Sequence, residues 1–296
     1  MFDRERIRGI IPPLATPLTP EEELDEEALR RLIRRLLDAG CHGAFVLGGT
    51  GEGIYLTDAV QAHTIEVTVD EVAGRVPVVA GVSDLSVRRA VARGRLAAQL
   101  GADVIISVPP YQRPMEPMEV RDYFVALAEE TGMPTMLYNV PPFVRTDITV
   151  DTIAELAGHD GIIGMKDSAD LAHLSDVALA TQDTGFRLLC GFEPNFAPAM
   201  MIGAAGGTLA IANVWPEICV ETYDACAAGD WERARRLQLK LTRFLGPFTQ
   251  APWTPACKYA MSLLGLCRPA TMRPDRPLTE GEQNLIRETL SEWELI

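Results

Sequence analysis

The chain has 296 residues, of which 47% are apolar and 23% charged, and its net charge is −14. This composition supports a sizeable core and argues against disorder. The acidic field, with no basic stripe interleaved with aromatics, excludes a nucleic-acid partner.

From the amino terminus, MFDRERIRGIIPP is charged and is not read as a signal peptide, and no apolar run is long enough to predict a membrane span. Eight short, near-continuously apolar segments then follow, as parallel strands covered on both faces require. They are 9–17, 43–49, 76–82, 102–110, 134–141, 161–168, 186–193 and 207–213. Helical patterns separate them. In 24–40, Asp25 is placed to cap, Glu26 and Glu27 occupy the first turn, and Leu29, Leu32, Ile33, Leu36 and Leu37 form one stripe that Gly40 stops. The EEELDEE run is read as the solvated start of this helix. Segments 86–101 and 117–132 carry the same pattern. Eight βα units favour a (β/α)8 TIM barrel, with an open doubly wound sheet as the other arrangement. Helical stretches at 216–228, 230–246, 253–264 and 279–292 complete the chain. The expected division is a barrel over 1–228 and a C-terminal helical extension over 229–296.

Six scattered cysteines without a CxxC pair are expected to be reduced, mostly buried thiols of a cytoplasmic protein. Four histidines, none in an HxH or HExxH arrangement, give no histidine-rich metal centre, although carboxylate-bound magnesium stays open.

Three segments carry chemistry. The first is LGGTGEGIYLT (47–57), whose glycines fit neither a dinucleotide fingerprint nor a Walker loop: the spacing fails for the first, and Ile54 stands where the second needs lysine. What remains is a cradle of amides with one hydroxyl, Thr50, at the end of the second strand, or else a tight turn that needs glycine for geometry alone. The second is GIIGMKDS, which puts Lys166 after five uncharged residues of a buried strand. Burial disfavours an ammonium and frees a nucleophilic amine, as Schiff-base chemistry requires; the competing reading is a strand-end lysine facing water or pairing with Asp167. The third is LYNVPP (137–142), which brings Tyr138 to the end of the neighbouring strand, where a phenol can shuttle protons; otherwise it is a core tyrosine. Tyr111, in VPPYQRP, is a weaker candidate of the same kind.

With IIPPLATPLT, the glycine loop, YNVP and the lysine strand in this order, the chain resembles the dihydrodipicolinate synthase / N-acetylneuraminate lyase family over nearly its whole length. The resemblance implies a (β/α)8 barrel with a helical extension, a homo-oligomer (tetramer or dimer) and no cofactor. It implies that Lys166 forms an imine with pyruvate or another 2-oxo acid, that Tyr138 moves protons beside it, that Tyr111 matches a second relay tyrosine, and that Gly49 and Thr50 bind the substrate carboxylate. Two positions depart from the family pattern. Gly49 replaces a hydroxyl residue of the relay. Phe143 replaces the arginine that binds aspartate semialdehyde, with Arg145 two residues further on. Together with Pro142, Phe143 points to a less charged pocket suited to a neutral or hydroxylated aldehyde. The expected activity is therefore a class I lyase acting on a 2-oxo acid, by aldol cleavage, condensation or dehydration of a 2-keto-3-deoxy sugar acid. The alternatives are the synthase itself, with Arg145 re-aimed, and a non-catalytic 2-oxo acid binding protein; a metal-dependent aldolase is weaker.

Overall fold

The computed structural model describes residues 2–141 and 143–296. Among them, eight parallel strands form one sheet in the order β1-β8-β7-β6-β5-β4-β3-β2. The strands are β1 Gly9–Ile10, β2 Ala44–Val46, β3 Val78–Gly81, β4 Val104–Ser107, β5 Thr135–Asn139, β6 Ile162–Asp167, β7 Arg187–Cys190 and β8 Gly206–Gly207. Each falls within or overlaps its predicted segment and is shorter than it. The first is cut short because Pro12 and Pro13 have no N–H to give to a ladder. The seam between β1 and β2 is closed by the residues around those prolines. His42 N–H donates to Ile10 O at 2.7 Å, Phe45 N–H to Pro12 O at 3.0 Å and Leu14 N–H to Phe45 O at 2.8 Å. The arrangement is a (β/α)8 barrel.

The helices between the strands are α1 Glu26–Asp38, α2 Asp58–Val72, α3 Val87–Gln99, α4 Pro117–Thr131, α5 Val150–Ala157, α6 Leu171–Thr181, α7 Phe196–Met201 and α8 Pro216–Ala227. The α1 cap is as predicted: Asp25 accepts from Ala28 N–H at 3.2 Å, and Gly40 takes a left-handed φ of 87° past the end. The EEELDEE run is only partly a helix start. Its first residues precede α1 in a turn, where Glu22 adopts a φ of 65° and accepts from the exposed Arg273 guanidinium at 2.7 and 3.1 Å. Three more helices follow, α9 Trp231–Leu245, α10 Trp253–Leu263 and α11 Glu280–Glu292. Trp215, Phe244, Phe248 and Trp293 pack in edge-on and tilted pairs that join the start of α8 to α9 and the end of α11. Five of the cysteines are buried, Cys267 is partly so, and all six are free thiols. Among the described residues, no helix is long and apolar enough to cross a membrane.

Side chains alternate between two clusters along every central strand, as the period of two demands. Phe45, Val79, Val104, Ile106, Met136, Ile163 and Leu189 fill the inside of the barrel, with Tyr138 packed against them. Their neighbours Val46, Val78, Ile105, Leu137, Ile162, Met165 and Leu188 face the helices. β6 breaks this alternation once. Thr135 pairs with Ile162 but Met136 pairs with Gly164, so β6 carries one extra residue there. Ile163 is already inward. Without the irregularity, strict alternation would turn Met165 inward and Lys166 out into the helix layer. With it, Met165 packs outward and Lys166 faces inward, in register with Tyr138.

Gly164 makes this possible. A Cβ there would sit 2.3 Å from the Arg187 carbonyl oxygen of β7. Gly164→Ala is expected to cost about 1–3 kcal/mol by overpacking, read as a lower denaturation midpoint. A midpoint equal to the wild type's would show that the strand does not need glycine here.

Candidate active site

Lys166 ends up at the C-terminal end of the barrel interior and is only 4% exposed. Its Nζ lies 4.3 Å from the centre of the Tyr138 ring and 5.5 Å from that of Phe45. Two aromatic faces thus stand where a solvated or ion-paired lysine would have water or a carboxylate. Neither competing reading of this residue survives: the lysine does not face water, and Asp167 points to the other side of the strand. Gly191, just past β7, clears the space for the side chain. A Cβ on Gly191 would lie 2.7 Å from Lys166 Cε and 2.3 Å from Ser168 Oγ. Nothing local in the sequence marks Gly191, because the requirement comes from a neighbouring strand.

The glycine loop divides by the same measure. A Cβ on Gly48 would meet the Phe45 ring at 2.7 Å, one on Gly51 the Leu14 carbonyl oxygen at 2.7 Å and one on Gly53 the Leu47 carbonyl oxygen at 2.1 Å. Leu47 itself takes a left-handed φ of 62°. For these three glycines, tight geometry is sufficient reason. Gly49 differs, since a Cβ there would meet nothing within 4 Å and its φ is not left-handed. Glu52 and Gly53 donate their amides back to Gly49 O and Gly48 O at 3.0 and 3.1 Å. Among the described residues, the Gly49 and Thr50 amides have no such backbone acceptor, and Thr50 is buried. Free amides beside a hydroxyl are the composition of an anion cradle.

The remaining predicted residues lie further out. Tyr111 follows β4, and its phenol is pushed up by burial and by the nearby Asp84 carboxylate, with Arg93 and Arg89 acting the other way. It makes no hydrogen bond to Lys166 or Tyr138 among the described contacts. Phe143 is 84% exposed, so it does not wall an apolar pocket in this chain, and Arg145 is exposed too. Pro142 lies outside the described residues.

Sequence reasoning missed two polar assemblies around the site. Asp167, fully buried on the outer face of β6, accepts from Asn139 Nδ2 at 3.1 Å and from Ala169 N–H at 3.0 Å, and pairs with His173 Nδ1 at 2.8 Å. His173 Nε2 reaches Ile148 O at 3.1 Å, and Ile148 N–H returns to Asn139 Oδ1 at 3.2 Å. The ring of contacts ties β5, β6, α6 and Ile148 together. The hydrogen bond to Asp167 lifts the His173 imidazole to about 9, against partial burial. The second assembly joins the glycine loop to the helical extension. Glu52 and Lys258 form an ion pair with both side chains buried; Lys258 Nζ also donates to Ala270 O at 2.8 Å and Met272 N–H to Glu52 Oε1 at 2.6 Å. Burial pulls the Lys258 ammonium down while Glu52 acts in the opposite sense. Two charges 206 positions apart carry no pairing signal in the sequence.

Because the folded protein holds the His173 proton more tightly than an ordinary imidazole at 6.5, the residue adds stability that is complete below that value. That stability is lost as pH rises through about 9. The wild type is expected to lose more melting temperature than His173→Gln between pH of about 6 and about 10. Parallel curves would contradict the assignment.

Comparisons with known proteins identify the family. A sequence profile of the dihydrodipicolinate synthetase family matches residues 6–293. The chain is 38% identical to the 4-hydroxy-tetrahydrodipicolinate synthase of Methanopyrus kandleri over 98% of each sequence. The dihydrodipicolinate synthase of Bacteroides thetaiotaomicron superposes with a TM-score of 0.92 at 34% identity, covering 97% of this chain and 98% of that one. YagE of E. coli K12, a prophage protein of the dihydrodipicolinic acid synthase family solved in complex with pyruvate, gives 0.93 at 29% identity, covering 98% and 99%. With its barrel, its inward lysine beside a tyrosine and a profile match over nearly its whole length, the chain belongs to the dihydrodipicolinate synthetase family.

Proposed function

We propose that the protein is a class I lyase that binds pyruvate or a related 2-oxo acid as an imine on Lys166. The observation that carries this reading is the lysine itself, 4% exposed and 4.3 Å from the Tyr138 ring centre. In the proposed sequence the 2-oxo acid carboxylate rests on the Gly49 and Thr50 amides with the Thr50 hydroxyl. The Lys166 amine adds to the C2 carbonyl, and Tyr138 returns the proton that lets the carbinolamine lose water. The resulting iminium withdraws electrons from C3. Tyr138, having given up its proton, then accepts one: either from C3, giving an enamine that adds to an aldehyde, or from the C4 hydroxyl of a hydroxylated 2-oxo acid, whose C3–C4 bond breaks to leave an aldehyde and the enamine. None of these steps calls for a metal or a redox cofactor.

For the partner molecule we favour a neutral or hydroxylated aldehyde, or a 2-keto-3-deoxy sugar acid as the joined form. The support is the absence of arginine at position 143, not any lining by Phe143. The second reading is 4-hydroxy-tetrahydrodipicolinate synthesis from pyruvate and aspartate semialdehyde, with Arg145 meeting the second carboxylate. The function named for the 38% identical relative favours it. Six free thiols fit a cytoplasmic enzyme. The exposed Ile54, Tyr55 and Leu85 support association between copies of the chain.

Lys166→Ala is expected to abolish turnover of pyruvate with any acceptor. Tyr138→Phe is expected to lower kcat by about 10²–10⁴-fold, the usual worth of a positioned proton carrier. Near-normal turnover by the lysine variant would remove the mechanism. Pyruvate consumption with glyceraldehyde against aspartate semialdehyde separates the two readings: a higher kcat/KM for aspartate semialdehyde supports the synthase.

A further inference from the structure

One buried charge lies directly behind the nucleophile. Asp167 follows Lys166 in the chain, is fully buried and projects from the opposite face of β6. A buried carboxylate without a counter-charge favours the ammonium form of a nearby amine, the form that cannot attack a carbonyl. Glu193 is a second buried carboxylate near the lysine; burial pushes its carboxyl up, and it accepts from Ile211 N–H at 3.2 Å. Asp167 differs in having a side chain able to carry the counter-charge, His173 at 2.8 Å. Both ring nitrogens of His173 meet acceptors, Asp167 Oδ2 and Ile148 O, an arrangement that suits the doubly protonated ring. Asp147 is a further acidic neighbour of the imidazole.

We propose that His173 is a positioning residue for the lysine chemistry: it holds and neutralises Asp167 behind Lys166, and its second nitrogen meets Ile148 O, beyond the Tyr138 strand. The inference rests on the Schiff-base reading above. His173 touches no reacting atom and acts through Asp167.

The test is the pH dependence of borohydride trapping of pyruvate on Lys166 in the wild type, His173→Gln and His173→Arg. Glutamine keeps a hydrogen bond and loses the charge, whereas arginine keeps the charge. In the glutamine variant the acid limb of the trapping rate is expected to move up by about one pH unit, a roughly tenfold loss at fixed pH on that limb. The arginine variant is expected to stay close to the wild type, and half-saturating pyruvate to change by less than about threefold in both. Superimposable wild-type and glutamine profiles, with adduct formed in both, overturn this inference and leave the Schiff-base reading standing. A wild type that forms no adduct overturns both. If the glutamine variant does not fold, Asp167→Asn decides: removing the carboxylate is expected to leave the limb in place or move it down, and an upward shift overturns the proposal.

Discussion

The site at the mouth of this barrel depends on which face of β6 carries Lys166. An unbroken alternation would point the lysine into the helix layer and Met165 into the barrel. One extra residue beside Thr135 and Met136 reverses this, and Gly164 lets β7 pass close enough to keep the sheet intact. The lysine that results is surrounded by aromatic faces and a glycine's empty volume. That environment keeps water away from the amine, which is only 4% exposed.

Two polar frames hold this arrangement in place. The Asp167–His173–Asn139 ring locks the ends of β5 and β6, the strands that carry Tyr138 and Lys166. The Glu52–Lys258 pair locks the glycine loop to α10. Breaking one partner of a buried pair leaves an uncompensated charge, so both frames resist piecemeal change. The helical extension is therefore bonded to the loop that would hold the substrate carboxylate, and it is more than an outer layer.

Much of the fold was legible in the sequence because its signals are local. Apolar runs located all eight strands, and the α1 cap and glycine stop are where Asp25 and Gly40 indicated. The strand lengths were overestimated because an apolar run does not reveal where a ladder loses its donors, as at Pro12 and Pro13. Lys166, Tyr138 and Thr50 were legible as unusual residue types in buried or glycine-rich settings. What stayed hidden was relational. Gly191 matters because of a side chain on another strand, the β6 irregularity appears only in register, and His173 looked like an isolated histidine until Asp167 and Ile148 were set beside it. Three of the loop glycines proved to answer geometry alone. Gly49 does not, and it is also where the family resemblance placed a hydroxyl.

The most direct test of the central claim is reduction of the wild-type protein with borohydride in the presence of pyruvate, followed by peptide mass spectrometry. The account predicts one reduced pyruvate on the peptide containing Lys166 and none without pyruvate. An unmodified Lys166 peptide, with pyruvate and with longer 2-oxo acids alike, would contradict it.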